Sequence, residues 1–322
     1  MRLLLDRRPS DARTQASLPA THDAAAREMR VAAIGLMCAA AVCFAGLDAS
    51  TKWLGAQGLP TVEVVWARYV GAAALSLFAA RPFSRPGVLR ARRPWAQIVR
   101  SFLLLGATIA AFLALRRLQM AETATIFFVT PLFVALMAGP WLGERVGRTQ
   151  LAAIAIGFVG VVIATRPGTA AFQPIVVVAV AGAVCNAAYA LATRSLAGHD
   201  APETTLVWTP IAGVAALTPL LPWVWRAPAG AFVWMVMAIM GVCGALGHWL
   251  LILAHQRAPA SALTPFTYTQ LIWAIAAGAL VFGDVPPAAT LIGAALIVAC
   301  GLFLALHERG GGRRARRERR DA

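Results

Sequence analysis

Three of the charged side chains inside apolar stretches have types and a spacing that could do chemistry. Asp48 and Lys52 lie four residues apart in the apolar run 31–54, a spacing that puts both on one face of a helix. The pair could contact a polar solute or open and close an external gate, whereas Lys52 could instead reach lipid headgroups. Arg68 could bind an anionic group of a solute or form an internal salt bridge, for example with Asp48.

The surroundings of these residues are more apolar than soluble proteins allow. Hydrophobic residues make up 59% of the 322 residues and charged residues 13%, whereas soluble domains carry about 25% charged residues. The composition therefore predicts an all-α polytopic membrane protein with the lipid bilayer as its surroundings. The net charge of +15 is interpreted as membrane topology, and we expect no nucleic-acid partner.

No motif indicates a cofactor, a metal or a catalytic centre. The cysteines all lie in apolar stretches without C-x-x-C or histidine-linked metal spacing. Walker A, HExxH and GxSxG sequences are absent. We therefore expect no cofactor, no metal, no catalytic residue and no ATP-driven transport by this chain alone.

Ten apolar stretches are long enough to cross a bilayer, which takes about 20 residues in a helix. They run approximately over 31–54, 62–80, 96–115, 121–141, 150–165, 175–193, 204–221, 232–254, 260–282 and 288–306. Because they are continuously apolar rather than alternating, they predict helices and not barrel strands.

The arginines that flank the predicted helices are distributed asymmetrically. With the N-terminus inside, all but four of them lie in the tails and connections of the inner side. The positive-inside rule then predicts an inner-membrane protein with both termini in the cytoplasm. Residues 1–30 lack the apolar core of a signal peptide. We expect them, and the arginine-rich residues 307–322, to form disordered cytoplasmic tails.

The second half of the chain repeats features of the first. The superposed pairs are Cys43 with Cys185, Lys52 with Arg194, Gly143 with Gly283, and Glu144 with Asp284. The predicted repeats, 31–168 and 174–306, hold five helices each, and an odd number inverts the second repeat in the membrane. Inverted repeats are typical of secondary transporters, with the substrate near the midplane between the halves.

The two acids that follow a glycine in each repeat are predicted to be structural. Glu144 and Asp284 each stand at a turn, where a carboxylate can accept hydrogen bonds from the first amides of the next helix. The inverted repeat places the two acids on opposite faces, about 30 Å apart. That separation excludes a hydrolase with paired carboxylates.

Polar and aromatic side chains in later helices are further candidates for a solute site. They are Asn186, His248, Tyr268, Gln270 and Trp273. Together they could line a midplane cavity, although each could instead make a helix–helix hydrogen bond worth about 0.6 kcal/mol. His248 could titrate near neutral pH and couple transport to protons, or it could remain a buried neutral histidine.

The chain resembles the EamA-type carriers of the drug/metabolite transporter superfamily, which have ten helices from two EamA repeats. The resemblance covers 31–306 and rests on small structural motifs in each repeat. These are Pro131, Gly143 and Glu144 in the first repeat and Pro265, Gly283 and Asp284 in the second. Asp284 departs from the glutamate more usual in the family. The resemblance implies transport of a small organic solute through a central cavity.

We therefore interpret the chain as a secondary transporter that moves a small metabolite by alternating access. Asp48 and Lys52, followed by Trp66-Ala67-Arg68-Tyr69, resemble branches of the family that import riboflavin or S-adenosylmethionine. An exporter of amino acids, drugs or other metabolites is the alternative within this fold. A lipid-modifying membrane enzyme and a non-transporting scaffold are further alternatives, and the sequence leaves open a monomer or a homodimer.

Overall fold

In the computed structural model, the part of the chain that is described consists of helices and short connections. The structure describes residues 18–80, 86–142, 147–196, 199–258 and 260–321. Within these ranges, nine helical segments are long and apolar enough to span a membrane, and a shorter apolar segment, Ala288–Leu304, follows them. The predicted all-α polytopic fold is therefore confirmed.

The helices follow one another with few intervening residues. In chain order they are α1 (Leu18–Ala56), α2 (Thr61–Ala80), α3 (Pro94–Leu115), α4 (Met120–Phe127), α5 (Thr130–Leu142), α6 (Arg148–Thr165), α7 (Ile175–Leu196), α8 (Pro202–Leu217), α9 (Leu221–Val224), α10 (Ala231–Arg257), α11 (Ala260–Thr267), α12 (Thr269–Phe282) and α13 (Ala288–Asp321). Short 3-10 turns occur at Pro86–Leu89 and Thr218–Leu220.

Two of the predicted spans are broken in the middle, at equivalent points of the two repeats. The fourth span divides into α4 and α5 after Phe127, and the ninth into α11 and α12 around Tyr268. Because Pro131 has no N–H, the Phe127 carbonyl loses its helical donor, and the Thr130 hydroxyl donates to it instead at 2.6 Å. The rings of Phe128 and Tyr268 meet edge to face, 5.1 Å apart. The two breaks therefore contact each other at the centre of the molecule.

Helix packing follows the symmetry expected of an inverted repeat. Helix α1 of the first half packs on α10 and α12 of the second half, and its counterpart α7 packs on α3 and α5 of the first half in the same way. The contact of α2 with α10 is likewise matched by that of α8 with α3. The remaining large contacts, α2 with α8 and α6 with α13, join equivalent helices directly. The halves are therefore related by a pseudo-twofold axis, as in many secondary transporters.

Glycines allow two of these helix pairs to approach closely. A Cβ atom on Gly160 of α6 would lie 2.9 Å from the Gly293 carbonyl oxygen of α13. A Cβ atom on Gly71 of α2 would lie 2.8 Å from the Cα atom of Gly241 in α10. Small residues at membrane helix crossings allow this kind of backbone contact.

The connections define two faces of the molecule. The Arg-rich face carries the α2–α3 and α7–α8 connections, which the bond from the Arg92 amide to Asp200 joins at 2.6 Å. The opposite face carries the α1–α2 and α3–α4 connections, where Arg116 donates to the Leu59 carbonyl at 2.6 Å. The corner predicted at Gly143 and Glu144 lies outside the described residues.

Candidate functional site

A cavity of about 760 Å³ lies between α2 and α3 of the first repeat and α7, α8 and α10 of the second. It runs from Arg68 and Gly244 in the middle of their helices to Asp200 and His255 at the Arg-rich face. Small-molecule sites usually measure about 300–1,000 Å³. The cavity is therefore large enough for a metabolite, and both repeats contribute to its walls.

The lining combines aromatic, hydroxyl and guanidinium groups on an otherwise apolar surface. Its aromatic side chains are Tyr69, Tyr189, His248, Trp249 and His255, and its threonines are Thr193, Thr205 and Thr209. Arg68 and Arg100 are the arginines of the lining and Asp200 is its acid. Such a surface can stack with a flat ring system and exchange hydrogen bonds with polar substituents.

Arg100 on α3 is the most extensively bonded side chain of the cavity. Its residue is only 1% exposed, and all five of its N–H groups donate to protein oxygens. The acceptors are Gln97 Oε1, the Tyr189 hydroxyl, Thr193 Oγ1, the Thr205 carbonyl and Thr209 Oγ1. A buried arginine must be satisfied in this way in the membrane. Its contacts tie α3 to α7 and α8 beside the cavity.

Arg68 on α2 keeps most of its donors free. Within the described residues it donates one hydrogen bond, to Thr108 Oγ1 at 2.5 Å. Its guanidinium also lies over the rings of Tyr69 and Phe112, at 5.5 and 5.7 Å from their centroids. The remaining N–H groups are available to a solute oxygen, because guanidinium carries five donors.

Asp48 and Gln270 form a polar pair between α1 and α12. Gln270 Nε2 donates to Asp48 Oδ2 at 3.4 Å, and Arg68 lies within electrostatic range of that carboxylate. Asn186 makes a separate bond, from its Nδ2 to Thr130 Oγ1 at 3.4 Å. The structure therefore brings Asp48, Gln270 and Arg68 together, but of these three only Arg68 lines the cavity.

Lys52 lies at the opposite face and pairs with Asp284, not with Asp48. Its ammonium is 2.5 Å from Asp284 Oδ2 and donates to the Leu118 carbonyl at 3.0 Å. The Phe282 ring lies beneath it, 5.2 Å away. The expected role of Asp284 as a helix cap is wrong, because its carboxylate bonds Lys52 while α13 begins only at Ala288. The bond joins the first repeat to the second.

Two predicted ring contacts with solute also take other places. Trp273 is 42% exposed on the outer surface of α12 and does not line the cavity, so the expectation that it does is wrong. The helical phase of α12 decides this, since it turns Ala274 and Gly278 inward instead. Tyr268 is 8% exposed and packs against Phe128 at the helix breaks. His248 does line the cavity, with its ring edge against Phe44.

Three of the residues predicted to have structural roles lie in the described part of the chain. Gly283 ends α12 with a positive φ of 68°, the usual left-handed C-cap. Pro265 lies inside α11 and Pro131 in the first turn of α5. Among the described residues, no cluster of three or more His, Cys, Asp or Glu could hold a metal ion.

Neither Arg100 nor Tyr189 is among the site residues selected from the sequence, although the predicted spans 96–115 and 175–193 contain them. Arg100 lies near the start of its predicted span, where an arginine resembles a flanking charge. Helix α3 begins at Pro94, so Arg100 stands more than one turn inside it. Proline at the first helical position is a usual start signal, and that signal could have placed Arg100 well inside the helix.

The sequence model of the EamA-like transporter family matches residues 31–166 and 173–306. The chain belongs to the EamA-like transporter family. This match confirms the family inferred from the duplicated motifs, and the two matched segments correspond to the two halves of the fold.

Curated relatives of this EamA-like protein are named as metabolite transporters. A riboflavin transporter of Vibrio cholerae is 30% identical over 88% of this chain and 95% of its own length. A riboflavin transporter of Rhizobium johnstonii is 32% identical over 89% and 93%. An S-adenosylmethionine uptake transporter of Rickettsia felis is 24% identical over 81% and 88%. The EamA-like protein is accordingly a multi-pass membrane transporter of small metabolites.

A solved crystal structure is similar to this chain in fold. It superposes with a TM-score of 0.57 at 20% sequence identity and covers 89% of this chain and 98% of its own. This likeness shows the arrangement of the helices.

Proposed function

We propose that this EamA-like protein is an inner-membrane carrier that takes up riboflavin or a closely similar neutral, flat heteroaromatic metabolite. The observation that carries the proposal is the cavity lining, in which Tyr189 and Trp249 flank threonine hydroxyls and two arginines. Aromatic side chains stack on a fused ring system. Threonine oxygens can accept from a polyhydroxyl chain, and the free N–H groups of Arg68 can donate to ring carbonyls. The riboflavin transporters among its relatives support the same substrate class.

The charge of the cavity favours riboflavin over S-adenosylmethionine. Its lining contains two arginines, Arg68 and Arg100, and one acid, Asp200, which stands at the mouth. S-adenosylmethionine carries a sulfonium cation, and like charges repel strongly in a medium of low dielectric constant. Riboflavin is uncharged at neutral pH and offers several acceptor oxygens. We therefore expect discrimination in favour of the neutral solute.

The cavity and its surroundings correspond to one stage of alternating access. The Arg-rich face is assigned to the cytoplasm, with both termini there, by the positive-inside rule. The cavity reaches that face, while the bond between Lys52 and Asp284 joins the repeats at the external face. In this state a solute exchanges with the cytoplasm. Uptake further requires an outward-open state in which this external bond is broken.

Proteoliposomes loaded with purified protein test the substrate assignment. Labelled riboflavin should accumulate, and unlabelled riboflavin should compete better than S-adenosylmethionine at equal concentration. Trp249→Leu should raise KM about tenfold, because ring stacking contributes about 0.5–1.5 kcal/mol beyond buried area. Trp273→Leu is the matched control on the outer surface and should leave KM unchanged.

Either of two results would overturn the proposal. Preferential movement of S-adenosylmethionine, or loss of riboflavin transport in Trp273→Leu with retention in Trp249→Leu, contradicts the assigned site. The direction of transport is measured separately, in vesicles in which the orientation of the protein is known. Net flow only from the Arg-rich side outward would make the protein an exporter.

A further inference from the structure

The hydroxyl groups around Arg100 differ in whether their protons are already used. Thr193 Oγ1 donates to the Tyr189 carbonyl at 2.8 Å, and Thr209 Oγ1 donates to the Thr205 carbonyl at 2.6 Å. Both threonine oxygens also accept from Arg100. Neither hydroxyl therefore has a proton left for a ligand.

Tyr189 is in a different position. Its hydroxyl oxygen accepts from Arg100 at 3.2 Å, and its ring lies 5.2 Å from the guanidinium carbon. Among the described residues, no protein acceptor receives the Tyr189 proton. Because the side chain lines the cavity, that proton is available to a solute.

Tyr69 provides the contrast in the same cavity. Its residue is 3% exposed, and its hydroxyl lies 3.3 Å from Thr108 Oγ1. Thr108 gives its own proton to the Leu104 carbonyl at 2.9 Å. The contact with Tyr69 is therefore a bond in which the tyrosine donates, and the Tyr69 proton is used within the protein.

We propose that Tyr189 is a specificity-determining donor that requires an acceptor oxygen on the solute, and that Arg100 is the positioning residue that holds it. The inference rests on the proposed function and deepens it. A hydroxyl that accepts a charge-assisted bond becomes a stronger donor through polarisation. The matching group is a carbonyl or carboxylate oxygen, such as a ring carbonyl of the flavin dione. A solute that lacks this oxygen leaves the buried donor unpaired, which is the kind of penalty that gives sharp selection.

Two identical substitutions separate the tyrosines. In proteoliposomes, Tyr189→Phe should raise KM for riboflavin about fivefold to tenfold, the effect of losing one neutral or polarised hydrogen bond. Tyr69→Phe removes the same atom from the same cavity and should raise KM less than Tyr189→Phe does, because the Tyr69 proton bonds Thr108 and not the solute. A riboflavin analogue with sulfur in place of the dione carbonyl oxygen is the second probe. Sulfur is the weaker acceptor, so Tyr189→Phe should not weaken its transport further.

The positioning role of Arg100 is tested in two backgrounds. Arg100→Gln lowers thermal stability in either background, because several buried acceptors lose their donor. Its effect on KM should appear where Tyr189 is present and disappear in Tyr189→Phe. A purely structural arginine would change KM equally in both backgrounds, and that result would overturn the positioning role.

The outcomes distinguish this inference from the proposed function. A wild-type protein that moves neither riboflavin nor S-adenosylmethionine overturns both. A wild-type protein that moves riboflavin while Tyr189→Phe and Tyr69→Phe behave alike overturns the role of Tyr189 only. The role of Tyr189 is also overturned if Tyr189→Phe raises KM for the sulfur analogue as much as it raises KM for riboflavin.

Discussion

On the proposed topology, neutralising Asp284 should open the external face. The carboxylate and the Lys52 ammonium are 2.5 Å apart, with side chains 23% and 17% exposed. Exposed ion pairs contribute about 0–1 kcal/mol, and breaking a buried one costs about 3–5 kcal/mol. For this partly exposed pair we take about 1–2 kcal/mol, which corresponds to a tenfold or somewhat larger shift between states. Asp284→Asn should therefore raise the outward-open population about tenfold.

Cysteine accessibility measures that population. The reporter is Ala124→Cys, placed in a variant whose native cysteines are replaced by alanine. Ala124 is 9% exposed and belongs to the apolar cluster around Leu115 and Met120, against which Phe282 packs. A membrane-impermeant maleimide added from outside should label it about tenfold faster in Asp284→Asn than in the parent. Added solute should change the labelling rate in both proteins.

The exchange of charges is the control. Lys52→Asp combined with Asp284→Lys restores an ion pair in the same place, although it loses the bond from Lys52 to the Leu118 carbonyl. Labelling in the double variant should return most of the way to the parent rate. Equal labelling rates of the parent, Asp284→Asn and the double variant would refute the reasoning, since the ion pair would then contribute nothing to the stability of the closed state.

Two further predictions follow from single positions. Gly160→Leu should lower the melting temperature by several degrees, since a side chain there meets the backbone of α13. Gly35→Leu, with open space around it, should leave the melting temperature unchanged. Equal melting temperatures of the two variants would contradict the close crossing of α6 and α13. For Asp200, burial alone would raise the pKa, but hydrogen bonds from Gln97 and from the Arg92 and Arg93 amides outweigh it and lower the carboxyl pKa. The stability difference between wild type and Asp200→Asn should therefore hold from pH 8 to 5 and disappear only as pH falls through that lowered pKa. A stability difference that vanishes above pH 5 would contradict the lowered pKa.

The membrane fold was accessible from sequence because its causes are local and cumulative. A long apolar stretch must form a helix in lipid, where backbone groups have no water to bond. The order of glycines, prolines and acids in the two halves then indicated the repeat. The breaks of the fourth and ninth spans were less accessible. Proline alone is common in membrane helices, and each break is stabilised by contacts such as that of Phe128 with Tyr268.

The site was only partly predictable because helical phase and neighbours decide which polar groups meet. Sequence selected Arg68 and His248, which do line the cavity. It also selected Trp273 as an aromatic group inside the ninth span, but the helical phase of α12 places that side chain on the outer surface. Arg100 resembled a surface arginine until the start of α3 and its contacts placed it within the protein.

Hydrophobic length and the duplicated order of features depend on no distant contact, so the sequence alone predicted a bilayer as the solvent, an all-α polytopic fold and an inverted repeat. The distribution of its arginines likewise predicts the topology. Only the tertiary structure decided the partners of the charges. Lys52 lies four residues from Asp48, yet it bonds Asp284, 232 residues away, at 2.5 Å. Charges in a membrane protein pair with whichever group shares their polar pocket, and packing of the two repeats determines that pocket.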